Sequence, residues 1–190
     1  MSFPRFPFPR PDHPSQVVVP AAGGTLDGAE LFRLLTDSGA HEAWTQLSEH
    51  SHSIRLLVSR GWVFKTRPDD LIERLDRTLE ILDALAARTA RLGVWHPAKT
   101  WFALRLRDGY LPCNACPRLL TLGDLPGWPS RLGLRLRLLV HQRRLVRQAV
   151  ARGCLLDFQP QNFGYDAAEQ RFYYIDDEVY SLTLHLQTFS

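Results

Sequence analysis

The sequence predicts an α+β fold with a β-rich N-terminal lobe and a reduced helical C-terminal part. Three observations predict it. Short β-branched and aromatic runs joined by turn signals fill the region up to about residue 122. Two segments, 69–92 and 130–152, repeat their leucines at helical spacing. A further hairpin pattern, 163–175, follows the second of them. With 190 residues and 45% hydrophobic content, the chain can bury the core of one domain or of two tightly joined lobes.

Residues 1–22 read as a Pro-rich arm, and its alternating prolines keep it extended so that it packs on the body or binds a partner. Residues 23–190 form the domain, with an N-lobe over about 40–122 and a reduced C-lobe over about 123–190. Thr25 to Asp37 is a short amphipathic helix stopped by Ser38-Gly39. Strands are expected near 43–47, 53–59 and 62–66, the last two joined by Arg60-Gly61. Pro68-Asp69-Asp70 reads as a helix start, because Pro and acids suit the orphan N–H groups and the macrodipole of a first turn. Leu71, Leu75, Leu79, Leu82 and Leu85 or Ala86 then line the buried face of a helix ended by Gly93. Trp101–Arg107 and Tyr110–Leu111 flank Asp108-Gly109, a strong hairpin signal. Pro117–Leu122 reads as another strand, followed by the long helix 130–152.

Several classes of function are excluded or demoted. No apolar run approaches the length of a membrane span, and the N-terminal residues lack the continuous apolar stretch of a signal peptide. With Cys113, Cys116 and Cys154 an odd number, a reducing cytoplasm is the expected location. Cys113-Asn114-Ala115-Cys116 is a lone C-x-x-C, compatible with a redox pair or half a zinc site. His50 and His52 specify no metal site by themselves. The arginines of 130–152 suggest nucleic acid or an acidic partner. The net charge is only +3, however, and Leu134, Leu138 and Leu145 supply a core face. A solvated arginine face is the simpler reading, and nucleic acid is not the expected partner.

The passage richest in chemistry is Asp157-Phe158-Gln159-Pro160-Gln161-Asn162, with Ile175-Asp176-Asp177-Glu178 following across the hairpin. Two carboxylates and an amide are what nucleotide-dependent phosphoryl transfer requires, one group for the attacking hydroxyl and two for magnesium. The pattern D-x-x-P-x-N resembles the catalytic loop of the protein-kinase-like superfamily, including its small-molecule kinases. The resemblance covers roughly residues 43–178 and implies ATP and Mg2+ as cofactors. It implies Asp157 as catalytic base or orienter, Asn162 and Asp176 as metal ligands with Asp177 the alternative to Asp176, and Gln159 as a loop residue at the nucleotide. The acceptor stays unidentified and is a protein or small-molecule hydroxyl.

The same resemblance implies a phosphate-contacting lysine on an upstream strand, paired with a Glu on the next helix. Gly61-Trp62-Val63-Phe64-Lys65 resembles the kinase V-A-I-K, and Glu80, fifteen residues on, is the partner it implies, with Glu73 as the alternative. Lysine is rare here: only Lys65 and Lys99 among 23 basic residues, and a compact ammonium suits phosphates better than a planar guanidinium. The chain departs from the family at Leu155-Leu156 in place of His-Arg and at Asp177-Glu178 in place of Phe-Gly. No glycine-rich loop stands between 43–47 and 53–59, where Ser48–Ser53 lie instead. A pseudokinase-like scaffold that binds nucleotide or a partner without turnover is therefore the alternative.

Overall fold

A computed structural model of the chain describes residues 8–21, 24–42, 55–92, 99–121, 125, 127, 131–151, 159 and 162–175. The fold is mixed α+β. The chain divides into two compact units, one of residues 1–87, 97–118 and 178–190, the other of 88–96 and 119–177.

The first unit is built on a six-stranded antiparallel sheet. Its strands are β1 (Val17–Val18), β2 (His41–Glu42), β3 (Arg55–Ser59), β4 (Trp62–Thr66), β5 (Thr100–Leu106) and β6 (Gly109–Pro117), in the spatial order β1-β5-β6-β4-β3-β2. β5 and β6 are buried along most of their length, because both faces of the sheet are covered. Helix α1 (Gly28–Thr36) packs Leu31, Leu34 and Leu35 against Phe64, Phe102, Leu104 and Leu111. Helix α2 (Leu75–Leu92) packs Ile81, Leu82 and Leu85 against Trp101 and Ala103. Consecutive residues of β5 thus serve opposite layers, as the pleat requires.

Local codes account for the ends of these elements. Asp27 caps α1, its carboxylate accepting the Glu30 N–H at 2.8 Å. The β3–β4 hairpin turns through Arg60 and Gly61, both at positive φ (46° and 77°), which matches the twist of the strands. Arg60 is held there by the Asp37 carboxylate, at 3.1 Å from its Nε.

Three features differ from expectation. The arm packs on the body, one of its two expected alternatives, with Phe8 buried edge-on to Phe64, but Val17 and Val18 form a strand where none was expected, pairing with Leu104 and Ala103 of β5. β6 continues through Pro112 and Asn114 to Pro117, where only Tyr110–Leu111 and a separate strand from Pro117 were expected. Proline is tolerated because ladder donors alternate sides. Tyr110 donates to Ile72 on the side away from β5, so the Pro112 nitrogen falls on that side too, past the end of β4 at Thr66↔Cys113.

The third difference is the start of α2, at Leu75 rather than Asp69. Pro68–Asp70 form a single 3₁₀ turn, after which Ile72 bridges to Tyr110 (N···O 2.9 and 2.7 Å), and the helix begins only beyond that bridge. Gly109, with φ +150°, makes the bridge possible. A Cβ there would lie 2.5 Å from the Ile72 carbonyl oxygen.

The second unit joins helix α3 (Leu132–Ala151) to a three-stranded sheet of β7 (Leu120–Thr121), β8 (Phe163–Asp166) and β9 (Arg171–Tyr174). Leu138 and Leu145 of α3 pack with Phe163, Phe172 and Tyr174. The β8–β9 turn is closed by the Asp166 carboxylate, which accepts N–H bonds from Ala168 (2.8 Å) and Glu169 (3.1 Å). Both strands fall where their sequence pattern placed them.

Gly109→Ala is expected to lower stability by about 1–3 kcal/mol, the range for a residue forced into a sparsely populated backbone region. Urea denaturation checks this. A variant as stable as the parent removes the close approach of Ile72 as the determinant of where α2 starts.

Candidate functional site

Lys65 is the penultimate residue of β4, half-buried, between Leu56 of β3 and Asn114 of β6. Asn114 is paired in turn with Trp101 of β5, which packs under α2. Lys65, Asn114 and Trp101 therefore form one row across the sheet on the face that α2 covers. Asn114 and Trp101 are buried, and the Lys99 ammonium sits 5.7 Å from the centre of the Trp101 ring. Both lysines of the chain consequently bear on the same row. Sequence reasoning weighed only Lys65. The rarity of lysine, which singled it out, points equally to Lys99.

Glu80 is not brought to Lys65. It stands two residues from buried Thr78 and Leu82, roughly 160° around the helix from either, and so projects away from the sheet. Its exposed carboxylate accepts a bond from Arg77 at 2.8 Å. Glu73, also exposed, falls between the Ile72 bridge and the helix. The acid nearest in sequence to Lys65 with altered chemistry is Asp70. Burial pushes its carboxyl up from 3.8 to about 6, partly opposed by the Arg67 charge and reinforced by Asp69. Its Oδ2 is buried without a hydrogen-bond partner among the described residues.

In the second unit Asn162 stands immediately before β8, and its carbonyl accepts the Ile175 N–H at 2.8 Å. That bond closes the base of the hairpin, so Asn162 and Ile175 lie side by side at its open end. The Asn162 N–H donates to the Gln159 carbonyl at 3.0 Å, giving a tight turn over Gln159–Asn162. Gln159 is exposed. Asp157, Asp176 and Asp177 lie outside the described residues, as do His50, His52 and Cys154. Among the described residues no group of three His, Cys, Asp or Glu could hold a metal ion. No described helix is long and apolar enough to cross a membrane.

The C-x-x-C is neither a redox pair nor half a metal site in this fold. Cys113 and Cys116 are three apart on a strand, so their side chains point to opposite faces. Cys113 packs with Phe102 under α1, whereas Cys116 packs with Val58 and Val63. Both are buried free thiols. Burial pushes the Cys113 thiol up to about 12, only partly opposed by hydrogen bonds from Thr66 and Leu104.

The chain matches no protein-family model, no curated protein and no solved structure.

Two outcomes are expected here. The raised Asp70 group favours the protonated native state, so its contribution to stability declines as pH rises from 3.8 through about 6. Asp70→Asn should then be more stable than the parent above that window and lose its advantage below it, as urea denaturation across the range would show. An advantage that is constant with pH contradicts the burial of this carboxyl. Cys113 and Cys116 should resist alkylation at neutral pH in the native protein and react on unfolding. Native labelling of Cys113, mapped by peptide mass, contradicts its placement.

Proposed function

We propose that the chain is an ATP- and magnesium-dependent phosphotransferase of kinase-like fold, acting on a protein or small-molecule hydroxyl. The observation that carries the reading is the base of the β8–β9 hairpin. The D-x-x-P-x-N motif ends at Asn162, and the Ile175 bond to its carbonyl brings together the two ends of the hairpin. The chain passes from one end back to Asp157 and from the other directly into Asp176. The Asn162 amide, and the carboxylate of Asp176 one residue beyond Ile175 in the sequence, are oxygen ligands of the kind a magnesium ion takes.

The order of elements supports the same reading. A β-rich unit carries a lysine on a strand, that strand is followed by a helix on the lysine's face, and a long helix precedes the motif. In this reading Lys65 contacts the phosphates, Asn162 and Asp176 hold the magnesium, Gln159 lies against the nucleotide and Asp157 orients the acceptor hydroxyl. Magnesium, when bound, neutralises charge on the phosphates. Asp157 accepts the hydroxyl proton as the oxygen attacks, so its charge state controls the transfer step and not nucleotide affinity.

One observation favours a second reading. Glu80 faces away from the sheet and is engaged by Arg77, so the Lys65–Glu80 pair that the resemblance implies is not formed. A scaffold that binds nucleotide without turnover needs no such pair. For Glu80 to reach Lys65, α2 would have to rotate and the Arg77 contact break.

Magnesium–ATP is expected to raise the melting temperature of the protein. Ligand that binds only the native state adds about 2.7 kcal/mol at a hundredfold excess over Kd. Lys65→Ala and Asn162→Ala should reduce the shift, the latter only when magnesium is present. Asp157→Ala should keep the shift and slow transfer by about 10²–10⁴-fold. Nucleotide binding without any transfer selects the scaffold. The absence of a shift at saturating nucleotide would falsify both readings.

A further inference from the structure

Helix α3 has two apolar stripes, and the fold uses only one of them. Leu134, Leu138 and Leu145 turn inward, with Leu138 and Leu145 buried against the β8–β9 hairpin. On the opposite side Leu132, Leu136, Leu139 and Val140 are exposed, from 54% for Leu139 to 77% for Leu132, and Val146 continues the face. Positions 132, 136, 139, 140, 143 and 147 follow the spacing of a single helical face. Of the seven large hydrophobics exposed among the described residues, five belong to this helix. Isolated exposed leucines need no explanation, but a contiguous stripe does.

Charge narrows what can cover it. The twenty residues of α3 include five arginines and no acid. Arg143 and Arg147 stand within the outward stripe, Arg135 flanks one border and Arg144 the other. Among the described residues none of these four makes an ion pair. Arg137 instead donates to the Gln170 carbonyl at 3.0 Å. Unneutralised arginines bordering aliphatic side chains fit a surface that is both anionic and able to accept hydrocarbon.

We propose that the outward face of α3 docks on a bilayer containing anionic phospholipid. The leucines and valines enter the boundary between headgroups and acyl chains, while the arginines extend along their stems to the phosphates. A bilayer conforms to a convex helix face without needing a complementary groove. Nucleic acid fits less well, because the face presents no aromatic side chain for base stacking and its aliphatics would stay in water against a phosphate backbone. This surface contains none of the residues assigned to phosphoryl transfer, so it stands or falls separately from that activity.

Cosedimentation of the full chain with vesicles tests the proposal, using phosphatidylcholine alone and phosphatidylcholine mixed with phosphatidylserine. Binding is expected to the mixed vesicles only, and to weaken with added salt. Each arginine near an anionic bilayer raises partitioning about fivefold, so the triple variant Arg135→Gln, Arg143→Gln, Arg147→Gln should bind roughly a hundredfold less. Leu136→Ser with Val140→Ser should also lose binding while keeping the parent's circular dichroism. Should that pair fail to fold, hydrogen exchange on the parent reads the same contact, as protection of residues 132–147 on adding mixed vesicles. The proposal is overturned if mixed vesicles fail to bind, if both vesicle types bind alike, if the arginine variant binds as the parent does, or if α3 gains no protection. Duplex DNA or single-stranded RNA binding through these arginines, with mixed vesicles left unbound, also overturns it and makes the face a nucleic-acid interface.

Discussion

The first unit depends on β6. It is paired along both edges, with β5 from Gly109 to Ala115 and with β4 from Cys113 to Pro117, and buried on both faces over Leu111–Cys116. A strand in that position leaves its backbone no solvent alternative, so each ladder bond lost would orphan a donor or acceptor in the interior. The other elements take their places from it. β4 carries Lys65 opposite Asn114, β5 turns Trp101 to α2 and Phe102 to α1, and Tyr110 captures Ile72 and thereby delays the start of α2. The surroundings of the candidate phosphate contact are thus decided by a strand of which every residue from Leu111 to Cys116 is buried.

The second unit is organised differently, around a helix rather than a strand. α3 lies over a short hairpin, and His141 sets its ring edge-on to Phe163, 5.8 Å between centres. Burial, with the charges of Arg144 and Arg171, holds this imidazole below its usual range, so it belongs to the packing and stays neutral near pH 7. Two sides of one helix therefore have opposite chemistry. One is apolar with a neutral histidine, and the other mixes aliphatics with guanidinium groups that make no ion pair among the described residues.

What was legible in the sequence was local. Arg60-Gly61, Asp108-Gly109 and the Asp166–Gln170 turn each have their own conformational code, and the strands they join followed. α1 and α3 were readable from their leucine spacing. What escaped was decided by distant partners. Pro112 and Asn114 are poor strand residues, yet pairing on either side of β6 overrides that preference. The Pro-Asp-Asp helix signal at 68–70 loses to the bridge between Ile72 and Tyr110, a contact no short window contains. β1 has only two residues and exists through its pairing with β5. In the candidate site, the Asn162 hairpin was legible because it is continuous in sequence. The direction of Glu80 could have been read from the leucines flanking it, since their phase already puts it opposite the core. The row joining Lys65, Asn114 and Trp101 crosses three strands, and only the sheet order reveals it.

The placement of residues 8–18 has a consequence for how the protein can be shortened. A boundary drawn from composition falls after residue 22, where the proline-rich stretch ends. Removing that stretch would strip β1 from β5 and leave a row of unpaired N–H and C=O groups on a strand that is otherwise buried. It would also take Phe8 from its place beside Phe64. An open edge next to fresh apolar surface is a template for pairing with another chain, so the shortened protein would be prone to self-associate. The arm thus acts as an edge guard for the sheet, a role its composition does not suggest.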